Sequence, residues 1–228
     1  MNKSPFKWTT SWTGIILSEE NLLLPNTWTL TLDYDAVSEN MLHRDIAMQR
    51  LEFMIEEKFN TSLWTNLDNE WVSAFYNKME TFIITLPNDP YDSLIAATTM
   101  LKAQNITANV LDIHSCSIVS KLGYAVENII DYDEAEQMAM NVDYKNFSDG
   151  PWYMRTDAGF TDLLIDDENG EPVLIKDVND WSGANLNWDY YDKTENSLTP
   201  ADNYIHNNNQ ERWIPLVIKG GSGNDNED

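Results

Sequence analysis

The sequence predicts an α+β or α/β fold: a mixed sheet with two main helices packed on it, then an acidic, loop-rich, hairpin-containing C-terminal half. Three observations carry this reading. Strand-like and helix-like hydrophobic periods follow one another in β-α-β-α-β order over residues 27–113, an order that favours a sheet with helices against it. Beyond Gly123 the composition changes to Asp, Asn, Tyr and Trp with little helical period. In that second half two apolar runs flank Asn169-Gly170, whose residues supply the positive φ angles of a tight hairpin turn.

Trp12 to Leu17 is strand-like, and Thr27 to Asp35 alternates Trp28, Leu30, Leu32 and Tyr34 with Thr29, Thr31 and Asp33, the period of a half-buried strand. Pro25-Asn26 supplies the turn before it. From Glu39 to Phe59 the period becomes helical, with Leu42, Ile46, Leu51, Met54, Ile55 and Phe59 on one broad stripe and Ser38 as the expected N-cap. A connection bearing Trp64 and Trp71 leads to Thr81–Leu86, a β-branched apolar run that suits a buried strand. Asp89-Pro90 then predicts a helix start with a capping carboxylate and proline at the first helical position, the helix running to about Gln104 and ending at Asn105. Ala108–Ile113 is the last strand of this unit. A short helix is expected around Asp133 to Met140, and a hairpin joins 161–165 to 172–178. Long loops from Asp180 to Arg212 are pinned by Trp181, Trp188 and Trp213, Trp213–Lys219 reads as a strand, and GGSGNDNED as a flexible acidic tail. The expected organisation is therefore an α/β core over 1–123, an acidic loop-rich half over 124–219 packed on the same core, and a tail over 220–228.

With 228 residues the chain has length enough for a sizeable core, and nine Trp with ten Tyr argue against wholesale disorder. No run approaches the roughly 20 apolar residues of a membrane helix. The N-terminal stretch lacks the apolar region of a secretory signal, and Cys116, the single cysteine, rules out an intrachain disulfide; both suit a cytoplasmic location. The net charge of -24 is uneven: residues 1–123 hold 8 basic against 15 acidic residues, residues 124–228 hold 6 against 23. Such a field opposes direct binding to nucleic acid or an anionic membrane and favours basic proteins or cations.

Motifs for phosphate binding are absent, and histidine or cysteine patterns for zinc are absent too, so no cofactor is implied. The DDENGE turn is not a calcium loop, since aligning Gly170 with the loop glycine puts Ile165 and Lys176 where carboxylates are needed. Asp143, Asn146 and Asp149 read better as solvated loop residues than as a cation site. Asp112, His114 and Cys116, around the end of the third strand, are the candidates for catalysis: an imidazole beside a carboxylate can serve as a general base, but neighbouring residues on a regular strand point to opposite faces. Their alternative reading is a hydrogen-bonded histidine and a small buried thiol. The aromatic segment Trp181–Asp192 reads as loop anchors in preference to a carbohydrate platform.

The reading is thus of a non-enzymatic acidic interaction protein that docks on a basic surface of a partner. Its sharpest form is a viral accessory protein that inhibits a host nucleic-acid-binding factor by mimicking a phosphate array, with Asp131, Asp133, Glu134, Glu136, Asp162, Asp166, Asp167 and Glu168 in the rows of carboxylates. A small enzyme with its site near His114, and a virion or assembly component, are the alternatives.

Overall fold

Two long strands form the centre of the sheet. In the computed structural model, which describes residues 6–76, 81–140, 150–166, 172–176 and 179–188, β1 (Phe6–Leu17) pairs antiparallel with β2 (Leu23–Ala36) along its whole length, Phe6 facing Tyr34 and Leu17 facing Leu23. Polar Thr9, Thr10 and Ser11 hide the first half of β1 from a hydrophobicity reading, yet Thr is a good strand former, and side-chain hydroxyls pair across the strands as Thr9 to Thr31 and Ser11 to Thr29. The strand order is β4-β3-β1-β2-β5-β6. β3 (Ser62–Asn66) and β4 (Ile83–Leu86) run parallel to β1, whereas β5 (Leu111–Ser120) and β6 (Glu127–Asp131) continue the antiparallel half beyond β2. The sheet is mixed, and with its helices the fold is of α+β class.

Helices supply the main core. α1 (Met41–Phe53) starts at Asn40, whose Oδ1 accepts from the Leu42 and His43 amides; the cap is two residues later than Ser38. It continues as a π-helical turn over Met54–Phe59, closed by the Asn60 amide bonding to the Ile55 carbonyl. That turn delivers Phe59 to a ring cluster with Trp12, Trp28 and Trp64, in which Trp12 and Trp28 stack at 5.5 Å and Phe59 meets Trp64 edge-on at 4.8 Å. After the short α2 (Val72–Tyr76), α3 (Asp92–Thr107) lies buried along most of its length and ends where Ala108 and Asn109 turn left-handed. This turn delays β5, expected from Ala108, to Leu111. Asp89 does not cap α3 and Pro90 is not its first residue: Tyr91 is at the N-cap, with no side-chain bond, and Asp89 turns elsewhere.

α4 (Tyr132–Met140) opens with a reciprocal cap, the Glu134 amide donating to Asp131 and the Asp131 amide to Glu134. The expected hairpin forms as β7 (Asp162–Asp166) with β8 (Pro172–Lys176), Asp162 facing Lys176. Residues from both sides of Gly123 share the larger core, Trp152, Tyr153, Phe160 and Trp181 packing with Leu51, Ile95 and Leu101. A smaller core of Leu17, Leu63, Val72, Ile83 and Leu163 fills the opposite sheet face. Gly14 lets β1 and β3 close together, since a Cβ there would lie 2.8 Å from the Ser62 carbonyl oxygen.

Buried cations fasten the later segments. The Arg50 guanidinium donates to the Leu186 carbonyl (3.0 and 2.7 Å) and to the Ile106 carbonyl (2.9 Å), and lies 4.4 and 4.0 Å from the ring centres of Trp181 and Trp188. Trp181 and Trp188 therefore anchor their loop as expected. Lys102, on α3, donates to the Arg155 and Asp157 carbonyls. All described residues fall within one unit, 1–188. Among them no helix is long and apolar enough to cross a membrane. The expected strand at 213–219, the tail at 220–228, Trp213, the Asn169-Gly170 turn and the loop at Asp143, Asn146 and Asp149 lie outside the described residues.

Candidate functional site

β1, β3, β4 and β5 all run the same way, so their carboxyl ends gather at one end of the sheet. There the connections diverge: β3 and β4 lie on one side of β1, while α3 carries the chain across to β5 on the far side of β2. Open sheets place ligand crevices at such points, beyond the carboxyl ends of the strands. A recess of about 440 Å³ lies there, walled by the β1–β2 turn, the start of α3 and the turn after β5.

Its lining combines Glu19, Glu20, Asp89 and Asp92 with Leu22, Leu24 and Leu122 and, among the described residues, includes no lysine or arginine. The carboxylates differ in role. Asp92 is satisfied internally: Oδ1 accepts from the Trp28 indole at 3.2 Å and Oδ2 from the Ser120 hydroxyl at 2.7 Å, which ties α3 to β2 and β5. Asp89 is 7% exposed and forms no ion pair with a described residue. The Glu19 carboxyl is pushed above the ordinary carboxylate range, first by its hydrogen-bonding contact with Asp89, then by repulsion from that charge.

Asn26 adds a second unmet demand. It is 4% exposed, and its Oδ1 accepts from the Thr27 and Leu122 amides at 2.9 and 3.0 Å, which fixes the orientation of the amide group. The buried Nδ2 has no hydrogen-bond partner among the described residues. A buried donor without an acceptor costs about 1–3 kcal/mol, and Asn26 belongs to the wall of the recess.

The sequence matches no known protein family and no curated protein.

The residues singled out in the sequence are placed as follows. Asp112 and His114 are both exposed, and His114 Nε2 lies 3.1 Å from Asp35 Oδ2. A β-bulge opposite Asp33 and Tyr34 breaks the strand alternation, so that His114 and Ser115 turn to the same face, with Ser115 Oγ 3.3 Å from Asp33. Cys116 points into the core, and burial pushes its thiol far above the ordinary range, which withdraws it from any nucleophilic role. Asp112 and His114 line a second recess with Asp131 and Asp133, without Cys116.

Among the expected partner-binding acids, Asp131, Asp133 and Glu134 are exposed and Glu136 is half-buried, on the corner between β6 and α4. Asp162 is a correction: it is 1% exposed, holds Arg155 at 2.6 Å and accepts from the Trp152 amide, so it is an internal counter-ion and not a surface contact. Asp166 ends β7, and Asp167 and Glu168 lie outside the described residues. Among the described residues no cluster of His, Cys, Asp and Glu has a metal-binding arrangement. The strand-end recess was missed because Glu19, Asn26, Asp89 and Asp92 are far apart in the chain; the one local signal was the Asp89-Pro90 pair, read as a helix cap.

Proposed function

We propose that this is a non-enzymatic binding protein that docks on a basic surface of a partner protein, with the strand-end recess as its anchor point. The observation that carries the reading is the strand-end recess, lined by Glu19, Glu20, Asp89 and Asp92 and, among the described residues, by no lysine or arginine. A net charge of -24 steers cationic surfaces toward the molecule, and the exposed acids Asp131, Asp133 and Glu134 extend the attraction beyond the recess. Inhibition of a nucleic-acid-binding factor is one form of this docking, since such factors offer basic surfaces. The test is affinity capture at low salt, elution on a salt gradient and competition by duplex DNA. A basic protein released at moderate salt and displaced by DNA supports the reading; complexes that resist salt refute it.

A second reading, a small enzyme, draws on the His114–Asp35 contact beside the recess with Asp112. It predicts a turnover lost in His114→Ala and retained in Asp89→Asn, the reverse of the pattern that docking through the strand-end recess predicts for binding.

A further inference from the structure

We infer that the outer edge of β6 is a docking site for an extended basic segment of a partner protein, which joins the sheet as a further strand, sets an apolar side chain beside Ile129 and places a basic one opposite each of Glu127 and Asp131. The basic character of the partner comes from the docking reading, on which this rests. The surface is a different one from the strand-end recess, and it is testable without that partner.

The two edges of the sheet differ. β4 is covered: the Thr85 carbonyl accepts from the Trp152 indole at 2.7 Å, and the Thr85 hydroxyl bonds with the Asp162 backbone. β6 pairs with β5 on one side and, among the described residues, with no strand on the other. The Asp131 amide donates to the Glu134 side chain on α4, so by the alternation of an antiparallel ladder the backbone groups of Ile129 and Glu127 also turn away from β5. A recess of about 580 Å³ lies along this edge, lined by Asn128, Ile129 and Ile130 with Gln137 and Met138 of α4, and among the described residues by none of β5. That is the space a further strand needs.

The side chains of β6 select the occupant. Glu127, Ile129 and Asp131 are exposed on one face, with Ile129, 63% exposed, between the two acids. A second copy of the chain fits badly: antiparallel pairing centred on Ile129 sets Glu127 against Asp131 of the other copy at both ends, and parallel pairing in register sets each acid against itself. The same acids attract lysine or arginine, whose stems also cover Ile129. Asp131 Oδ1 accepts from the Glu134 amide, which holds that carboxylate in place at the end of the strand. Strand addition draws affinity from backbone bonds and specificity from alternate side chains, so the segment that fits is basic, apolar and basic at every second position.

The experiment uses the full chain labelled with nitrogen-15 and the peptide acetyl-Thr-Lys-Thr-Val-Thr-Lys-Thr-amide, which reads the same in both directions and brings Val to Ile129 with Lys at each acid. Two further peptides carry N-methyl groups on alternate amides, one on Val and both Lys, the other on the Thr residues, and another replaces Lys by Glu. Titration is followed by the Ile129 and Glu127 backbone amides. The parent peptide shifts both. One methylated peptide binds about tenfold more weakly or not at all, because its blocked amides face β6, and the other keeps its affinity. The Glu peptide does not bind. Ile129→Lys, at an exposed position, weakens the parent peptide about tenfold, whereas Glu70→Gln, between β3 and α2, leaves it unchanged. Equal affinities of the two methylated peptides, a Glu peptide as tight as the Lys one, or shifts that spare β6 would each overturn the site. A concentration-dependent dimer abolished by Ile129→Lys would also overturn it, since the occupant would then be a second copy. Salt-sensitive capture of a basic protein that is undiminished in Ile129→Lys leaves the docking reading standing and removes this edge from it. Peptide addition to β6 without any salt-sensitive partner does the reverse.

Discussion

Arg50 offers the sharpest check on how the later chain is held. Its guanidinium is buried with no carboxylate among the described residues paired to it, and burial lowers its pKa to about 10. It is held by carbonyls and rings: three hydrogen bonds to Leu186 and Ile106, and two indoles at 4.4 and 4.0 Å. Replacing it by methionine fills much of the volume but strands two carbonyls at about 1–3 kcal/mol each. It also removes two ring contacts worth about 0.5–2 kcal/mol each. Release of the guanidinium from its desolvation offsets part of this. The expected net loss is about 3–4 kcal/mol, or roughly 10 °C in Tm for a unit of this size. Arg50→Lys keeps the charge but not the flat fork, so it falls between the two. Urea unfolding with an unchanged slope reads the loss, and hydrogen exchange around Leu186 locates it. A methionine variant within about 1 kcal/mol of the wild type, or a lysine variant equal to arginine, would refute this account.

Three further outcomes follow from single positions. Gly14→Ala sets a Cβ 2.8 Å from the Ser62 carbonyl and 3.1 Å from the Trp28 ring, and is expected to cost about 1–3 kcal/mol in urea unfolding; a neutral result would mean that β1 and β3 part easily. Burial holds the Lys102 amine at about 7, below its ordinary 10.5, despite the Asp157 charge. Between those values the unfolded chain binds the extra proton, so this residue makes stability rise as pH increases from about 7 toward 10.5. A pH series of unfolding curves should show that component vanish in Lys102→Met. The buried Cys116 thiol should resist alkylation in the native state and react readily in denaturant; rapid native labelling would contradict its place in the core.

The sequence made the fold legible where one period ran long enough. β2 declares itself through the Trp28, Leu30, Leu32 alternation, and α1 through its apolar stripe, because each buries one face. β3 is short and buried throughout, so neither period marks it. β6 was missed because only Ile130 of its residues is buried, and the second half of β5 because Ser115 and Ser117 break the expected apolar run. Helix starts slipped by two residues: Asn40 displaced Ser38 as the cap, and Tyr91 displaced Asp89, which lines the recess. The acidic surface was visible as charge, but separating Asp162, an internal counter-ion, from Asp133, an exposed one, needed three dimensions. The recess needed them even more, since it joins three turns that sequence distance keeps apart.

The pairing of β1 with β2 also bears on how the protein is made. These two strands meet across a turn of five residues, so their ribbon forms from local contacts before anything else in the sheet exists. Both its edges are then bare: one waits for β3, the other for β5, which ends at Ser120. A nascent chain paused between those points carries a long ribbon with at least one open edge, able to pair with another ribbon of the same kind. Slow or paused synthesis between β2 and β5 is therefore expected to favour aggregation through that edge.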